Sequence, residues 1–343
     1  MVAETIDLIG TARPLGALTD GFRRPITYLR VSVTDRCNLR CVYCMPEAGL
    51  KWIANSSVLT FEEIEAIVRA AADVGVRSVR ITGGEPLVRR DLPALVRRLA
   101  AIDGIDDISL STNALLLAEQ AADLAAAGLR RVNVSLDTLR ADRFESIARR
   151  PGLERVLAGI EAAVAVGLAP IKLNCVVMRG RNDDELLDFA ELTRRQPLYV
   201  RFIEMMPVLD NALEQRDAYV SSTETLERLA RAGDLQPVAG PPGNGPARYF
   251  AYPGAPGAVG VISPLSHDYC DRCNRIRLSA DGKLRLCLFG DHAIDFRTPL
   301  QAGASREELA ALFIGGMSIK PERHHLRLGE PSSRMRALSE IGG

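Results

Sequence analysis

Between Ile26 and Glu204, short β-branched runs alternate with longer stretches in which Ala, Leu and Arg recur at helical spacing. Apolar residues at every third or fourth position line one face of a helix, whereas a compact apolar run bounded by turn residues suits a buried strand. The alternation predicts six strands, at 26–33, 78–82, 107–111, 131–136, 171–178 and 199–204, with helical sequence between them. Thr60-Phe61-Glu62-Glu63 has the form of a capping box, in which the threonine oxygen and the third-position glutamate take up backbone donors. Asn182-Asp183-Asp184-Glu185 reads as another helix start, with its acids at the positive end of the dipole. Gly75, Gly128 and Gly167 each follow a helical run, where a left-handed residue closes the helix before the next strand. Six parallel βα units suggest an α/β fold closed into a partial (β/α)6 barrel rather than a flat doubly wound sheet, although periodicity alone does not separate the two.

Beyond about Asp210 the pattern breaks, and Pro241-Pro242-Gly243-Asn244-Gly245-Pro246 marks a turn or flexible loop. The expected division is an N-terminal extension at 1–24, a barrel at 25–210 and a small α+β domain at 211–343 over one end of the barrel. A chain of 343 residues has core enough for both units.

Composition narrows the class. Apolar residues make up 47% of the chain and charged ones 25%, with 43 basic and 43 acidic side chains, as in an ordinary soluble enzyme. This balance argues against general nucleic-acid binding, though clustered arginines can still hold a small anion. Lysine occurs only at Lys51, Lys172, Lys283 and Lys320. No apolar run approaches the roughly 20 residues that span a bilayer, and Met1-Val2-Ala3-Glu4 lacks a secretory pattern, so a cytoplasmic protein without a membrane partner is expected. Seven cysteines in a reducing compartment point to metal ligands or buried thiols rather than disulfides.

Cys37, Cys41 and Cys44 follow the first strand at C-x3-C-x2-C spacing. A closed structural zinc site wants four ligands, whereas three cysteines on a four-iron cubane leave one iron open to an exchangeable ligand. This spacing resembles the signature of the radical S-adenosylmethionine superfamily, which implies a TIM-like partial barrel. In that superfamily the amino and carboxylate groups of S-adenosylmethionine chelate the open iron. Electron transfer then releases a 5'-deoxyadenosyl radical, chemistry that belongs to the cofactor. After the second strand comes Thr82-Gly83-Gly84-Glu85-Pro86, whose glycines allow close approach of backbone to a ligand and can offer amides as donors. It matches the superfamily's glycine-rich motif, which holds the amino group of S-adenosylmethionine, and the resemblance assigns Gly84 with Tyr43, Ser135 and Met206 to that pocket. Cys175, inside an apolar strand, is expected to be a buried small hydrophobe.

Cys270, Cys273 and Cys287 form a second triplet, C-x2-C-x13-C. His267 and His292 are near enough in sequence to complete a zinc site, so zinc and an iron-sulfur centre both remain open here. Between the cysteines, Asn274-Arg275-Ile276-Arg277 sets two guanidiniums on one strand face, suited to bidentate phosphate contacts.

The run from Tyr28 to Cys37 (YLRVSVTDRC), the Cys-Asn-Arg-Ile-Arg segment and Leu286-Cys287-Leu288-Phe289 resemble the molybdenum cofactor biosynthesis protein A family, over about residues 25–343. The resemblance implies a GTP 3',8-cyclase that makes (8S)-3',8-cyclo-7,8-dihydroguanosine 5'-triphosphate in the first step of molybdenum cofactor biosynthesis. It implies two [4Fe-4S] clusters, on Cys37, Cys41 and Cys44 and on Cys270, Cys273 and Cys287, and S-adenosyl-L-methionine as cofactor. GTP contacts fall on Arg30, Arg80, Ser111, Lys172, Arg275 and Arg277. Catalytic roles fall on Arg277, Gly342 and Gly343, the closing Gly-Gly reaching into the active site. Implied partners are an external electron donor, cyclic pyranopterin monophosphate synthase as the next enzyme, and a second copy in a homodimer. Two other readings compete: a radical enzyme acting on a peptide, which would carry more cysteines after residue 210, and a non-catalytic nucleotide-binding zinc or cluster protein. His324 and His325, adjacent on a polar segment, are expected to be exposed.

Overall fold

The computed structural model describes residues 17–207, 216–290 and 292–330. The six expected strands are present: β1 (Tyr28–Ser32), β2 (Ser78–Thr82), β3 (Asp107–Thr112), β4 (Arg131–Ser135), β5 (Ile171–Val177) and β6 (Leu198–Glu204). Each pairs in parallel with the next, and helices pack on the outside. The first helix, α1 (Phe61–Asp73), opens on the capping box expected at Thr60 and Glu63 and buries Ile64, Ile67 and Val68 against the sheet. Gly75, Gly128 and Gly167 all take positive φ, of 101°, 108° and 77°, as helix closure requires.

Residues beyond 216 extend this sheet at both edges. The strands β7 (Gln236–Val238), β8 (Arg248–Ala251) and β9 (Ala258–Ile262) add beyond β6, with β9 parallel to it. On the other side β10 (Arg275–Leu278) lies parallel to β1, followed by antiparallel β11 (Lys283–Arg285) and β12 (Ala293–Asp295). The result is one 12-stranded sheet whose eight central strands are parallel and which remains open between β9 and β10.

One local expectation needs correction. The segment 182–185 precedes its helix, Leu186–Arg195, and does not begin it. The carboxamide of Asn182 accepts from the Met178 amide at 2.7 Å and donates to the Asp137 carbonyl at 2.7 Å. Glu185 accepts from the Thr138 hydroxyl and the Leu139 amide. These polar side chains fix the loop after β4, a use that competes with helix capping. The segment Pro241 to Pro246 is, as expected, a turn, the connection of the β7–β8 hairpin. It folds under the strands, where Asn244 donates to Ser78 at 2.8 Å and Lys172 donates to the Pro242 carbonyl at 2.8 Å.

Candidate active site

A cavity of about 270 Å³ runs through the barrel from the loops after the strands to the hairpin loop beneath them. Cys37, Cys41 and Cys44 line its upper end, on the loop after β1. That loop is held by the Gly-Gly turn: the Gly84 amide donates to the Thr34 carbonyl at 2.7 Å and the Glu85 amide to the Arg36 carbonyl at 2.8 Å. A Cβ on Gly84 would stand 2.3 Å from the Arg36 carbonyl oxygen, and one on Gly83 would stand 2.5 Å from that of Thr34. The glycines are therefore required by backbone packed on backbone, and the expectation that their amides await a ligand is corrected for Gly84, whose N–H is already engaged.

Buried acids surround this end. Glu85 accepts from Thr112, Asn113 and Leu87, and burial pushes its carboxyl up to about 7. Tyr43 donates to Asp137 at 2.8 Å, and burial lifts Asp137 to about 6 despite the added bond from the Val176 amide. Burial raises the Cys37 thiol to about 11 and, with Asp137 and the neighbouring thiols, pushes Cys41 well above its usual range. Gly84, Ser135 and Met206 line the same cavity as Tyr43. Cys175 is buried in β5, as expected.

The second triplet lies at the opposite mouth. Cys270 and Cys273 precede β10, and the register Tyr28 to Arg275 sets that start beside the start of β1. Cys287 follows β11, which runs antiparallel to β10 and so returns to the same level. Tyr269, Arg275, Arg277 and Leu288, rather than these three cysteines themselves, face the cavity. Burial raises the Cys270 thiol, whereas at Cys273 burial is outweighed by Lys320 and Arg275, and the thiol falls below its usual range. His267 and His292 are exposed, and among the described residues no three Cys, His, Asp or Glu side chains are gathered as single-ion ligands. His324 departs from expectation: it is half-buried, with its ring against Phe289, while His325 is exposed.

Between the two mouths stands a group of buried cations. Arg30 is in register with Arg80 on one side and Arg277 on the other, so three guanidiniums form a row across adjacent parallel strands. Burial lowers Arg30 to about 9 and Arg80 to about 10, each further depressed by neighbouring arginines. Arg275 stacks over Tyr269, and Ser111 completes the expected set at the wall. Lys172 sits behind the hairpin loop, just outside the lining, and burial followed by Arg201, Arg131 and Arg80 lowers it to about 7. Arg201 is the residue that sequence reasoning missed. It is buried on β6, donates to Asn174 at 2.8 Å and Asn133 at 2.7 Å, and lines the cavity. A lone arginine inside the apolar run Leu198–Glu204 was its only signal.

Arg131 is neutralised by Asp107, but among the described residues Arg80, Arg201, Arg275, Arg277 and Lys172 have no carboxylate at ion-pair distance. Among the described residues, the Nε atoms of Arg275 and Arg277 and the hydroxyl of Tyr28 are buried without a partner. Buried charge without a counter-charge is expensive, so this arrangement fits a polyanionic ligand. Three thiols on the cavity wall, on a loop among acceptors, equally fit an iron-sulfur centre with a cationic ligand beside it. Gly342 and Gly343 lie outside the described residues.

Residues 31–193 match the model of the radical SAM superfamily, and residues 198–326 match that of the Molybdenum Cofactor Synthesis C region. The same architecture appears in Streptococcus suis SuiB bound to its precursor peptide SuiA, at a TM-score of 0.59 and 15% identity, covering 87% of this chain and 68% of that one. The fold and the matched superfamily are thus those of a radical S-adenosylmethionine enzyme.

Curated relatives narrow the class. The GTP 3',8-cyclase of Moorella thermoacetica is 50% identical over 95% of this chain and 100% of its own length. That of Pelotomaculum thermopropionicum is 49% identical over the same shares. The chain belongs to the GTP 3',8-cyclase family.

Proposed function

We propose that the protein converts GTP to (8S)-3',8-cyclo-7,8-dihydroguanosine 5'-triphosphate, the first step of molybdenum cofactor biosynthesis. The observation that carries this reading is the group of buried cations Arg80, Arg201, Arg275, Arg277 and Lys172, none of which has a carboxylate at ion-pair distance among the described residues, on a chain half identical to named GTP 3',8-cyclases. In this reading Cys37, Cys41 and Cys44 hold one [4Fe-4S] cluster, and Cys270, Cys273 and Cys287 hold a second. Tyr43, Gly84, Ser135 and Met206 bound the S-adenosylmethionine pocket. Bound there, the cluster and S-adenosylmethionine supply a 5'-deoxyadenosyl radical able to take hydrogen from the 3' carbon of the ribose.

The residues of the chain supply geometry. Arg30, Arg80, Arg275, Arg277 and Lys172, joined by Arg201, hold the triphosphate through charge-assisted bonds, and Ser111 faces the nucleoside. Fixing the sugar fixes which hydrogen meets the radical and keeps carbon 8 of the base within reach of the 3' carbon. Arg277, with Gly342 and Gly343, completes the catalytic set in this proposal.

Residues 25–210 carry the radical chemistry, residues 211–343 the second cluster and part of the GTP site, and residues 1–24 are an N-terminal extension. A one-electron donor from outside the chain, cyclic pyranopterin monophosphate synthase as consumer of the product, and a homodimeric state belong to the same reading. A peptide ligand, such as the precursor peptide bound by SuiB, is disfavoured because a neutral backbone would leave Arg80, Arg201, Arg275, Arg277 and Lys172 uncompensated.

The test is anaerobic reconstitution with iron and sulfide, then incubation with GTP, S-adenosylmethionine and dithionite as the one-electron reductant. The expected products are 5'-deoxyadenosine and the cyclised nucleotide in matching amounts. Absence of 5'-deoxyadenosine would remove the radical reading, and its formation with GTP unchanged would remove the substrate.

A further inference from the structure

Lys320 lies just beyond the helix Arg306–Met317 and is 3% exposed. Its ammonium donates to the Leu286 carbonyl, to the Arg275 carbonyl at 3.0 Å and to the Cys273 sulfur at 3.7 Å. An ammonium has three donors, so these three acceptors saturate it. They belong to the two segments that carry the second cysteine triplet: Leu286 adjoins Cys287, and Arg275 follows Cys273 by two residues. One side chain thus ties both segments together.

A second buried cation touches the same region. Arg24 donates to the Cys270 carbonyl at 2.6 Å and to the Pro321 carbonyl at 2.7 Å. Arg24, however, is neutralised by Asp20, 2.6 Å away. Lys320 has no carboxylate at ion-pair distance among the described residues, so its charge remains in the second site. The negative charge that would balance it is that of the thiolates and of the centre they hold.

We propose that Lys320 is a positioning residue for the second centre: it clasps the two ligand-bearing segments and, by its charge and its N–H···S contact, raises that centre's reduction potential. This rests on the second iron-sulfur centre proposed above. Net charge and hydrogen bonds to sulfur are among the quantities that set such potentials. A fixed positive charge favours the reduced, more negative state, so removing it shifts the potential to more negative values.

The measurement is a redox titration followed by electron paramagnetic resonance, on full-length protein reconstituted anaerobically. Cys37, Cys41 and Cys44 are all replaced by Ala, so that only the second centre contributes. Lys320→Met should shift the midpoint to more negative values. Lys320→Arg, which keeps the charge, should retain the original midpoint in the molecules that hold the centre. Lys283→Met, which removes an exposed lysine beside Asp281, should have no effect and serves as the control. An unchanged midpoint in Lys320→Met would overturn the proposal. So would equal shifts, or equal loss of iron, in the Met and Arg variants, because either would reduce Lys320 to a packing role. If the parent lacking the first triplet takes up no iron and sulfide, the reading of the second centre fails, independently of the lysine.

Discussion

The two mouths of the barrel carry the same number of cysteines in opposite electrostatic settings. At the upper end the buried groups beside Cys37, Cys41 and Cys44 are acids, Glu85 and Asp137, and both raise thiols there. At the lower end the buried groups beside Cys270, Cys273 and Cys287 are cations, Lys320, Arg275 and Arg277, and they bring Cys273 below its usual range. A cavity with acid at one end and base at the other orders two unlike ligands. The sulfonium and ammonium of S-adenosylmethionine suit the acidic end, and a triphosphate suits the basic side.

The strongest test of this comparison separates the two triplets. Cys37→Ala should abolish 5'-deoxyadenosine formation altogether. Cys273→Ala should leave part of that activity while abolishing the cyclised nucleotide. Chromatography of both products, with iron counted in each variant, decides between them. If Cys273→Ala cyclises GTP normally, the lower mouth has no part in the reaction. Zinc in place of iron and sulfide at the lower triplet would replace the cluster there with the four-ligand alternative.

Next in size is the row of guanidiniums. Removing one charged hydrogen-bonding partner costs about 1.5–3 kcal/mol, which is roughly a 10- to 100-fold loss of affinity. Arg277→Ala should weaken GTP binding by that factor, with iron content and S-adenosylmethionine cleavage retained. Arg201→Ala should do the same. Equilibrium binding of GTP to the reconstituted protein measures both, and unchanged affinity in either variant removes that arginine from the phosphate site.

The contrast between mouths was only partly legible in the sequence. Both cysteine triplets announce themselves because their ligands are close along the chain, and the six strands do so because a buried parallel strand leaves a compact apolar run. Arg201 did not, because its partners Asn133 and Asn174 lie on other strands and nothing in Leu198–Glu204 marks one arginine as buried. Lys320 is a similar case: its acceptors at Arg275 and Leu286 are 45 and 34 residues away. The hairpin loop was legible only in part. Its proline and glycine content marks a turn correctly, but composition cannot say that the turn packs under a barrel. Non-local contact decides these three, and periodicity carries only local information.

Lys172 sharpens the comparison through pH. Its midpoint of about 7 in the free protein means that it is largely neutral above that pH, owing to burial and to Arg201, Arg131 and Arg80, with Asp107 opposing. A bound triphosphate favours the ammonium, so its midpoint rises and binding takes up a proton. Affinity should therefore fall as pH rises above 7, by up to about tenfold per unit, until the midpoint of the bound state is passed. Titration calorimetry in two buffers of different ionisation enthalpy reads the proton directly. Lys172→Met should flatten the dependence between pH 7 and 9, and an equally steep profile in that variant would assign the proton to another group.

The smallest expected effect concerns the loop that closes the lower mouth. Asn244 donates to Ser78 at 2.8 Å and accepts from Asn274 at 3.3 Å, joining the hairpin loop to β2 and to the segment before β10. These bonds are worth about 0.5–1.5 kcal/mol each in net terms. Asn244→Ala leaves every cation in place and loosens only the floor beneath them. A roughly three- to tenfold rise in KM for GTP should follow, with S-adenosylmethionine cleavage in the absence of GTP unchanged. Equal losses in both would mean that the loop supports the whole barrel. A rise confined to GTP would mean that the lower mouth is closed by its own element and that the two ends are separable in function as well as in charge.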